Sequence, residues 1–365
     1  MDRAEIWLEP AAYPGVQMRS VTIRHVAEEA GVSLQTVSRV INNGPNVTDA
    51  LRERVRAAVE KLGYVPNIAA RRMGGSKSYL LVAFNDREPT LEKWRAGRGS
   101  DWVAQMLLGA MPRCERDGYH LLIELLDGHS SGLHARIDAV ISSLRPDGVI
   151  LTPPHSQDVR ILDQLERRGV RFARMSPGDG DARGFRVMMD EKEAAAVATR
   201  HLIDLGHRRI GFLTGSPDYA VSAERLAGFR SGMAAAGAAI DERWIRQGEF
   251  SFESGLAAAD ALLALEQRPS AIIASSDEQA LAVLHRAQDA GLAVPSDLSI
   301  ISFDDTPPIS FSLPPLTAVR QPTAAMAERA ASLLIGEQGS SDSGADSQIL
   351  PFEFVVRGST APPHD

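Results

Sequence analysis

The chain has 365 residues, 39 Lys plus Arg against 47 Asp plus Glu, a net charge of −8 and one cysteine, Cys114. This length suits two to three domains, and the lone cysteine excludes an internal disulfide and fits a reducing compartment. No apolar run approaches the ~18–20 residues of a membrane span and the start lacks the charged-then-apolar order of a secretory signal, so a cytoplasmic protein with no membrane partner is expected.

Residues 1–17, MDRAEIWLEPAAYPGVQ, show no periodic pattern. They are expected to be a disordered arm, or to precede a native start at Met18. From Val21 the pattern sharpens. Val26, Ala27 and Ala30 share one helical face, Gly31 supplies a tight turn, and Val37, Val40 and Ile41 recur at the spacing of a buried stripe. Two short helices joined in this way predict a helix-turn-helix. Ser33 stands where an N-cap belongs, and Leu34, Gln35 and Arg39 project away from the packed valines. Gln35 suits an adenine edge and Arg39 suits guanine O6 and N7, each pair discriminating by about 1–3 kcal/mol. The short hydroxyls and amides of Thr22, Ser33, Thr36, Ser38, Asn42 and Thr48 suit phosphate oxygens. The plain alternative is a solvated polar face. Charge favours DNA: residues 19–77 hold ten bases and five acids, +5, which leaves −13 for the remainder of the −8 total. A basic head on an acidic body concentrates phosphate attraction at the reading helix.

The runs VT at 21, VAEEAGVS at 26 and QTVSRVIN at 35, with the Y-x-P-N-x-x-A-R stretch from Tyr64 to Arg71, resemble the DNA-binding headpiece of the lactose-repressor (LacI/GalR) family of bacterial transcription regulators. The resemblance implies a DNA-binding domain over 18–65, a hinge helix and linker over 66–77, and an effector-binding core over 78–365. Asn67, Ala70, Arg71 and Met73 would belong to a hinge helix formed on the operator. Met73 stands where the family wedges a leucine into the minor groove, a task methionine can also perform, and Arg71 fits a narrow minor groove or its phosphates. A flexible basic linker is the plain alternative.

Beyond Tyr79, apolar runs at YLLVAF, HLLIELL, GVILT, RFARM, RIGFLT, IRQGEF, AIIASS and SIISFD alternate with amphipathic stretches such as 102–117, 133–144, 191–205, 220–236, 253–264 and 277–290. Repeated strand-helix units predict parallel sheets covered on both faces. The resemblance implies a periplasmic-binding-protein-like α/β core of two doubly wound lobes. The first would span about 78–178 and 309–336, taking in TAVRQP and the helix from Thr323. The second would span about 179–308 and 337–365, completed by ILPFEFVV. The stretch NDREPTLEKWRAGRGSDW is longer and more charged than the family's loop at this point. Asn85, Asp86 and Trp94 are candidates there for a cleft wall, but plain surface is the expectation.

Ligands of open α/β sheets bind beyond the carboxyl ends of the strands. By resemblance, Arg225 and Asp304 hold effector hydroxyls or a polar edge of the effector, and Phe250 stacks on the ligand. Asp277 and Ser276, where the family often has asparagine, stand at a neighbouring strand end. A guanidinium fork and a carboxylate together suit adjacent hydroxyls of a polyhydroxylated ligand. The alternatives are that Arg225 binds only Asp304 or Asp277, that Asp277 caps a helix and that Phe250 is core.

Two enzyme-like patterns compete. GHSSG at 128–132 satisfies the nucleophile-elbow pattern, with Asp190 and His201 or His207 as possible partners. GDGDARG at 178–184 starts like a calcium loop, but Arg183 occupies a ligand position. No zinc spacing occurs, and no cofactor or metal is expected. The reading reached is a DNA-binding transcription regulator, with repression the expected direction, whose operator affinity is set by a small-molecule effector; the resemblance favours a mono- or oligosaccharide or a glycoside over a nucleobase or a phosphorylated sugar. The tail GSTAPPHD holds no leucine heptad, so a homodimer on pseudopalindromic double-stranded DNA is expected. The competing readings are a sugar-binding protein without a DNA role and, further off, a serine hydrolase.

Overall fold

The computed structural model describes residues 21–41, 44–64, 77–97, 99, 101–178, 180–336 and 347–364. The arm 1–17, the start at Met18, and the site candidates Asn42, Asn67, Ala70, Arg71 and Met73 lie outside the described residues. The chain forms two compact units that divide at Lys77/Ser78.

The first unit contains α1 (Ile23–Ala30), α2 (Leu34–Ile41) and α3 (Asp49–Leu62). Gly31 ends α1 at φ 60, a left-handed conformation that glycine adopts without the steric penalty other residues incur. The Ser33 hydroxyl accepts the Thr36 amide at 3.1 Å, which satisfies one of the orphan donors of α2. Val26, Ala27 and Ala30 meet Val37, Val40, Val55, Ala58 and Tyr64 in a small core. Two ties were not foreseen from the sequence. Arg54 of α3 donates to the carbonyls of Ala30 at 2.6 Å and Gly31 at 3.3 Å, and Lys61 pairs with Glu29 at 2.6 Å. Part of the basic charge of the head therefore holds the helix-turn-helix together.

The second unit opens with β1 (Leu80–Asp86), α4 (Arg87–Ala96), α5 (Asp101–Arg116), β2 (His120–Leu126), α6 (Leu133–Leu144), β3 (Gly148–Leu151), α7 (Val159–Arg167), β4 (Phe172–Met175) and β5 (Phe185–Met188). It continues with α8 (Glu191–Asp204), β6 (Ile210–Leu213), α9 (Ala220–Ala235), β7 (Ile245–Arg246), α10 (Phe252–Leu263), β8 (Ala271–Ala274) and α11 (Asp277–Asp289). Then come β9 (Ser299–Asp304), α12 (Pro307–Ser310), β10 (Thr317–Arg320), α13 (Thr323–Ile335), β11 (Ser347–Ile349) and β12 (Glu353–Val355).

The strands of the described residues form two six-stranded sheets, ordered β11-β5-β4-β3-β1-β2 and β12-β10-β9-β8-β6-β7. Among the described pairs all are parallel except β10 with β12. Central strands such as GVIL and AIIA are buried along their whole length, because helices cover both faces of each sheet. Each lobe has a separate apolar cluster on either side of its sheet.

Three expectations about lobe boundaries change. FRVM, too short and interrupted by Arg186 to read as a strand, pairs with β4 as β5, so the first lobe extends to Met188 instead of ending near 178. TAVR pairs with β9 in the second lobe, and only the following helix α13 returns to the first. The run ILPFEFVV is divided, with β11 beside β5 in the first lobe and β12 beside β10 in the second. The chain thus crosses between lobes three times.

The expectation of plain surface for NDREPTLEKW also fails. Asn85 and Asp86 finish β1, Asn85 is 2% exposed, and α4 follows directly. Its arginine- and glutamate-rich sequence hid a helix whose polar side chains face a cavity.

Candidate functional site

A cleft of about 670 Å³ lies between the two lobes, lined by residues at the carboxyl ends of strands from both sheets. From the first lobe come Asn85 and Asp86 after β1, Thr152 after β3 and Ser176 after β4. From the second come Ser216 after β6, Ser276 and Asp277 after β8, Asp304 at the end of β9 and Gln321 after β10. Each of the five effector-site candidates, Arg225, Phe250, Ser276, Asp277 and Asp304, lines this cleft.

Arg225, on the inner face of α9, is 2% exposed. Its Nε donates to Glu191 Oε2 at 2.8 Å and its Nη1 to the Ser275 carbonyl at 2.6 Å. The guanidinium lies 4.4 Å above the Phe303 ring centroid. Its acidic partner is therefore Glu191, and not Asp304 or Asp277 as one expectation had it. Glu191 was missed because an acid in the first turn of a helix reads as ordinary dipole decoration. Here Glu191 is 2% exposed, and its Oε1 has no hydrogen-bond partner in the protein.

Ser276 is the N-cap of α11, accepting the Gln279 amide at 3.3 Å. Asp277 is not the cap. Its Oδ1 accepts the Ser302 hydroxyl at 2.5 Å, and its Oδ2 accepts the Thr306 amide at 2.6 Å and hydroxyl at 2.7 Å. It thereby ties the β9 exit to the start of α11. Asp304 accepts from the Gln321 side-chain amide and has φ 102. Phe250 has φ 56 and Ser176 φ 44. Three non-glycine residues in sparsely populated backbone conformations line one cavity, a clustering that accompanies functional sites. The Phe250 ring meets Tyr219 edge-on at 5.3 Å and lies over Gly215, where any Cβ would fall 1.8 Å from the ring.

The cleft is acidic. Among the described residues, only Lys93, Arg160 and Arg225 bring formal cations to a lining rich in Asp and Glu. Burial and then the Asp277 carboxylate push Asp304 up to about 8, and burial pushes Asp277 up to about 6. Both folded values exceed the ordinary carboxylate value of about 3.9, so the folded protein holds protons that the unfolded chain releases. Their stabilising contribution is full below about pH 4 and is lost as pH rises towards 8. The ligand-free core is therefore expected to melt at progressively lower temperature from pH 5 to pH 8. Asp304→Asn should flatten the upper half of that fall in scanning calorimetry, and an unaltered slope would contradict this assignment.

The enzyme-like patterns resolve as turns. Ser130 is exposed and its hydroxyl accepts the Gly132 amide at 3.1 Å. Asp190 caps α8 through the Glu193 amide at 2.8 Å. His201 contacts Thr360 at 3.0 Å, and His207 is held by Ser270 at 2.8 Å and the Ala361 carbonyl at 2.9 Å. The proposed partners of Ser130 are thus spent in the second lobe. In GDGDARG, Asp181 is taken by Arg183 at 2.7 Å, and the loop carbonyls of Asp181 and Arg183 close on the buried Arg174 at 2.8 and 3.1 Å. Among the described residues no group of His, Cys, Asp and Glu is arranged to hold a metal ion, and no helix is long and apolar enough to cross a membrane.

In the headpiece, Gln35 and Arg39 are exposed and Leu34 is 44% exposed, while Val37 and Val40 on the same helix are buried. Thr22, Ser33 and Thr48 are exposed, and Thr36 and Ser38 half-buried. A small helix-turn-helix head preceding a two-lobed core with a polar interlobe cleft defines a ligand-responsive DNA-binding regulator. Residues 22–67 match the bacterial regulatory proteins of the lacI family, and residues 199–360 match the periplasmic binding protein-like domain.

The HTH-type transcriptional regulator CelR of Thermobifida fusca is 32% identical over 346 residues, covering 93% of this chain and 98% of its own. The HTH-type transcriptional repressor PurR of Photobacterium profundum is 31% identical over 343 residues, covering 93% and 98%. Among solved structures, the transcriptional regulator CelR-cellobiose complex aligns with TM-score 0.70 and 30% identity over 93% of this chain and 99% of that one. The lac repressor dimer bound to operator and the anti-inducer ONPF aligns with TM-score 0.76 and 25% identity, covering 94% and 100%. The chain belongs to the lacI family of bacterial regulatory proteins and is a DNA-binding transcription regulator.

Proposed function

We propose that the protein is a cytoplasmic repressor that binds a pseudopalindromic operator as a homodimer and changes its operator affinity when an uncharged carbohydrate occupies the interlobe cleft. The observation that carries the DNA assignment is the exposure of Leu34, Gln35 and Arg39 on a helix whose opposite face is buried. Those three residues read base edges, with Gln35 and Arg39 making the discriminating pairs. Thr22, Ser33, Thr36, Ser38, Asn42 and Thr48 take phosphates, and Asn67, Ala70, Arg71 and Met73 form the operator-induced hinge with Met73 as wedge. Dimerisation is supported by Phe311 and Leu313, which are 82% and 80% exposed and are better covered than left in water.

Arg225, Phe250, Ser276, Asp277 and Asp304 form the second-lobe wall of the effector site. Ser276 and Asp277 act there by fixing the helix and loop that present Asp304. The acidic lining disfavours phosphorylated and carboxylated sugars, and the relative solved with cellobiose supports a neutral saccharide. Effector occupancy alters lobe geometry and so the spacing of the two hinges. By linkage, an effector that weakens operator binding binds more weakly when operator is present.

The test is selection of preferred duplexes from a random pool by the full-length protein. Arg39→Ala should relax preference at one base pair of each half-site, worth about 1–3 kcal/mol. Arg71→Ala should instead weaken all duplexes together and reduce the salt dependence. An unchanged preferred sequence for Arg39→Ala would refute the proposed reading register.

A further inference from the structure

The helix α4 and the turn after it carry contacts across the cleft that the effector-site candidates do not account for. Lys93 of α4 pairs with Glu278 of α11 at 2.7 Å and lies 3.4 Å from the Phe250 carbonyl. Glu278 also accepts the Phe252 amide at 3.3 Å through its other oxygen. A Cβ on Gly99, in the turn beyond α4, would fall 2.1 Å from Glu278 Oε1. At the root of the strap, Tyr219 of the second lobe donates to Asp86 at 3.3 Å. A segment of the first lobe is thus clasped to the second beside Phe250.

This clasp holds Trp94, the next residue along α4, in the wall of the cleft. Trp94 is 44% exposed on a helix whose one buried residue is Thr90, so core packing does not explain it. Trp102, at the start of α5, also lines the cleft. Also in the cleft are Phe250 and Tyr219 and two buried acceptors without protein partners, Asn85 Oδ1 and Glu191 Oε1. Acceptors of this kind call for ligand hydroxyls. The cavity of about 670 Å³ lies mid-range for ligands of drug size, well beyond a single hexose.

We propose that α4 is a specificity strap: Trp94 is the stacking platform for a second sugar ring, so the effector is an uncharged saccharide of at least two rings, and the Lys93–Glu278 pair positions that platform. The proposal rests on the carbohydrate reading of the cleft. One ring lies in the Phe250, Arg225 and Asp304 region and the next extends under α4. Trp94 contributes by the apolar contact of its ring with the sugar face, a contact whose worth corresponds to roughly a tenfold affinity change. Lys93 contributes without touching the sugar.

Titration calorimetry of the full-length protein with cellobiose and with glucose tests the proposal. Cellobiose is expected to bind at least tenfold tighter than glucose. Trp94→Ala should remove about tenfold from cellobiose while leaving glucose unchanged, and Trp94→Tyr should recover most of the loss. Lys93→Glu should reduce the preference for cellobiose, and the charge-swapped pair Lys93→Glu with Glu278→Lys should restore it, a rescue that loss of folding would not permit. Equal affinity for the two sugars, or equal losses for both on Trp94→Ala, would overturn the strap while leaving the carbohydrate cleft standing. No binding of either sugar by protein that still selects an operator would overturn both.

Discussion

Replacing Arg225 with methionine is expected to lower the stability of the core by about 3–5 kcal/mol, read as a fall in the urea midpoint. The reason is Glu191, whose carboxylate is 2% exposed and has Arg225 as its ion-pair partner at 2.8 Å. Truncating one member of such a pair leaves a buried charge with nothing to offset its lost hydration. Adding Glu191→Gln to Arg225→Met should recover part of the loss, because an amide needs no counter-charge. A fall below about 1 kcal/mol for Arg225→Met would show that water already reaches Glu191 through the cleft. The Ser275 carbonyl would lose its donor as well, so the strand end that leads to Ser276 and Asp277 should also lose order.

The second large effect is expected at a helix contact remote from the cleft. Gly109 of α5 lies against α13, and a Cβ there would fall 1.8 Å from the Ala324 carbonyl oxygen. That obstacle is backbone, so it cannot rotate aside, and the two helices must separate. Gly109→Ala should cost about 2–3 kcal/mol, even though alanine favours isolated helices by about 1 kcal/mol over glycine. Differential scanning calorimetry of the core decides between them, and a raised melting temperature would mean that α13 is free to move.

The headpiece was legible because its cues are local. Valines at helical spacing, a left-handed glycine and a capping serine each act within a few residues, and Val37 and Val40 are buried as their spacing required. The alternation of β and α in the core was legible for a similar reason, since fully buried strands such as AIIA are continuous apolar runs. FRVM was not, because a four-residue strand interrupted by Arg186 has no such run and is specified by pairing with β4 and β11.

In the cleft, Arg225, Phe250, Ser276, Asp277 and Asp304 were found by resemblance, whereas Glu191, Tyr219 and Gln321 were not. Their place in the site comes from long-range packing: Gln321 meets Asp304 because β10 lies beside β9, and Glu191 meets Arg225 because α8 packs on α9. The strap was misjudged for the opposite reason. Its charges resemble a solvated face, and only Glu278, far along the chain, shows what Lys93 is for.

The three crossings between lobes set an order on biosynthesis. Ribosomes release the chain from its N-terminus, and domains generally fold as units as they emerge. Yet the first lobe needs α13, whose Met326, Ala327, Ala330 and Leu334 complete an apolar cluster begun by Leu81. The second lobe needs β12, which pairs with β10. Neither half can finish until almost the whole polypeptide has been made, so a premature stop shortly before Thr323 leaves both unfinished and exposes apolar surface to cellular proteases. The reading head, by contrast, has its own closed core and can form as soon as it leaves the tunnel.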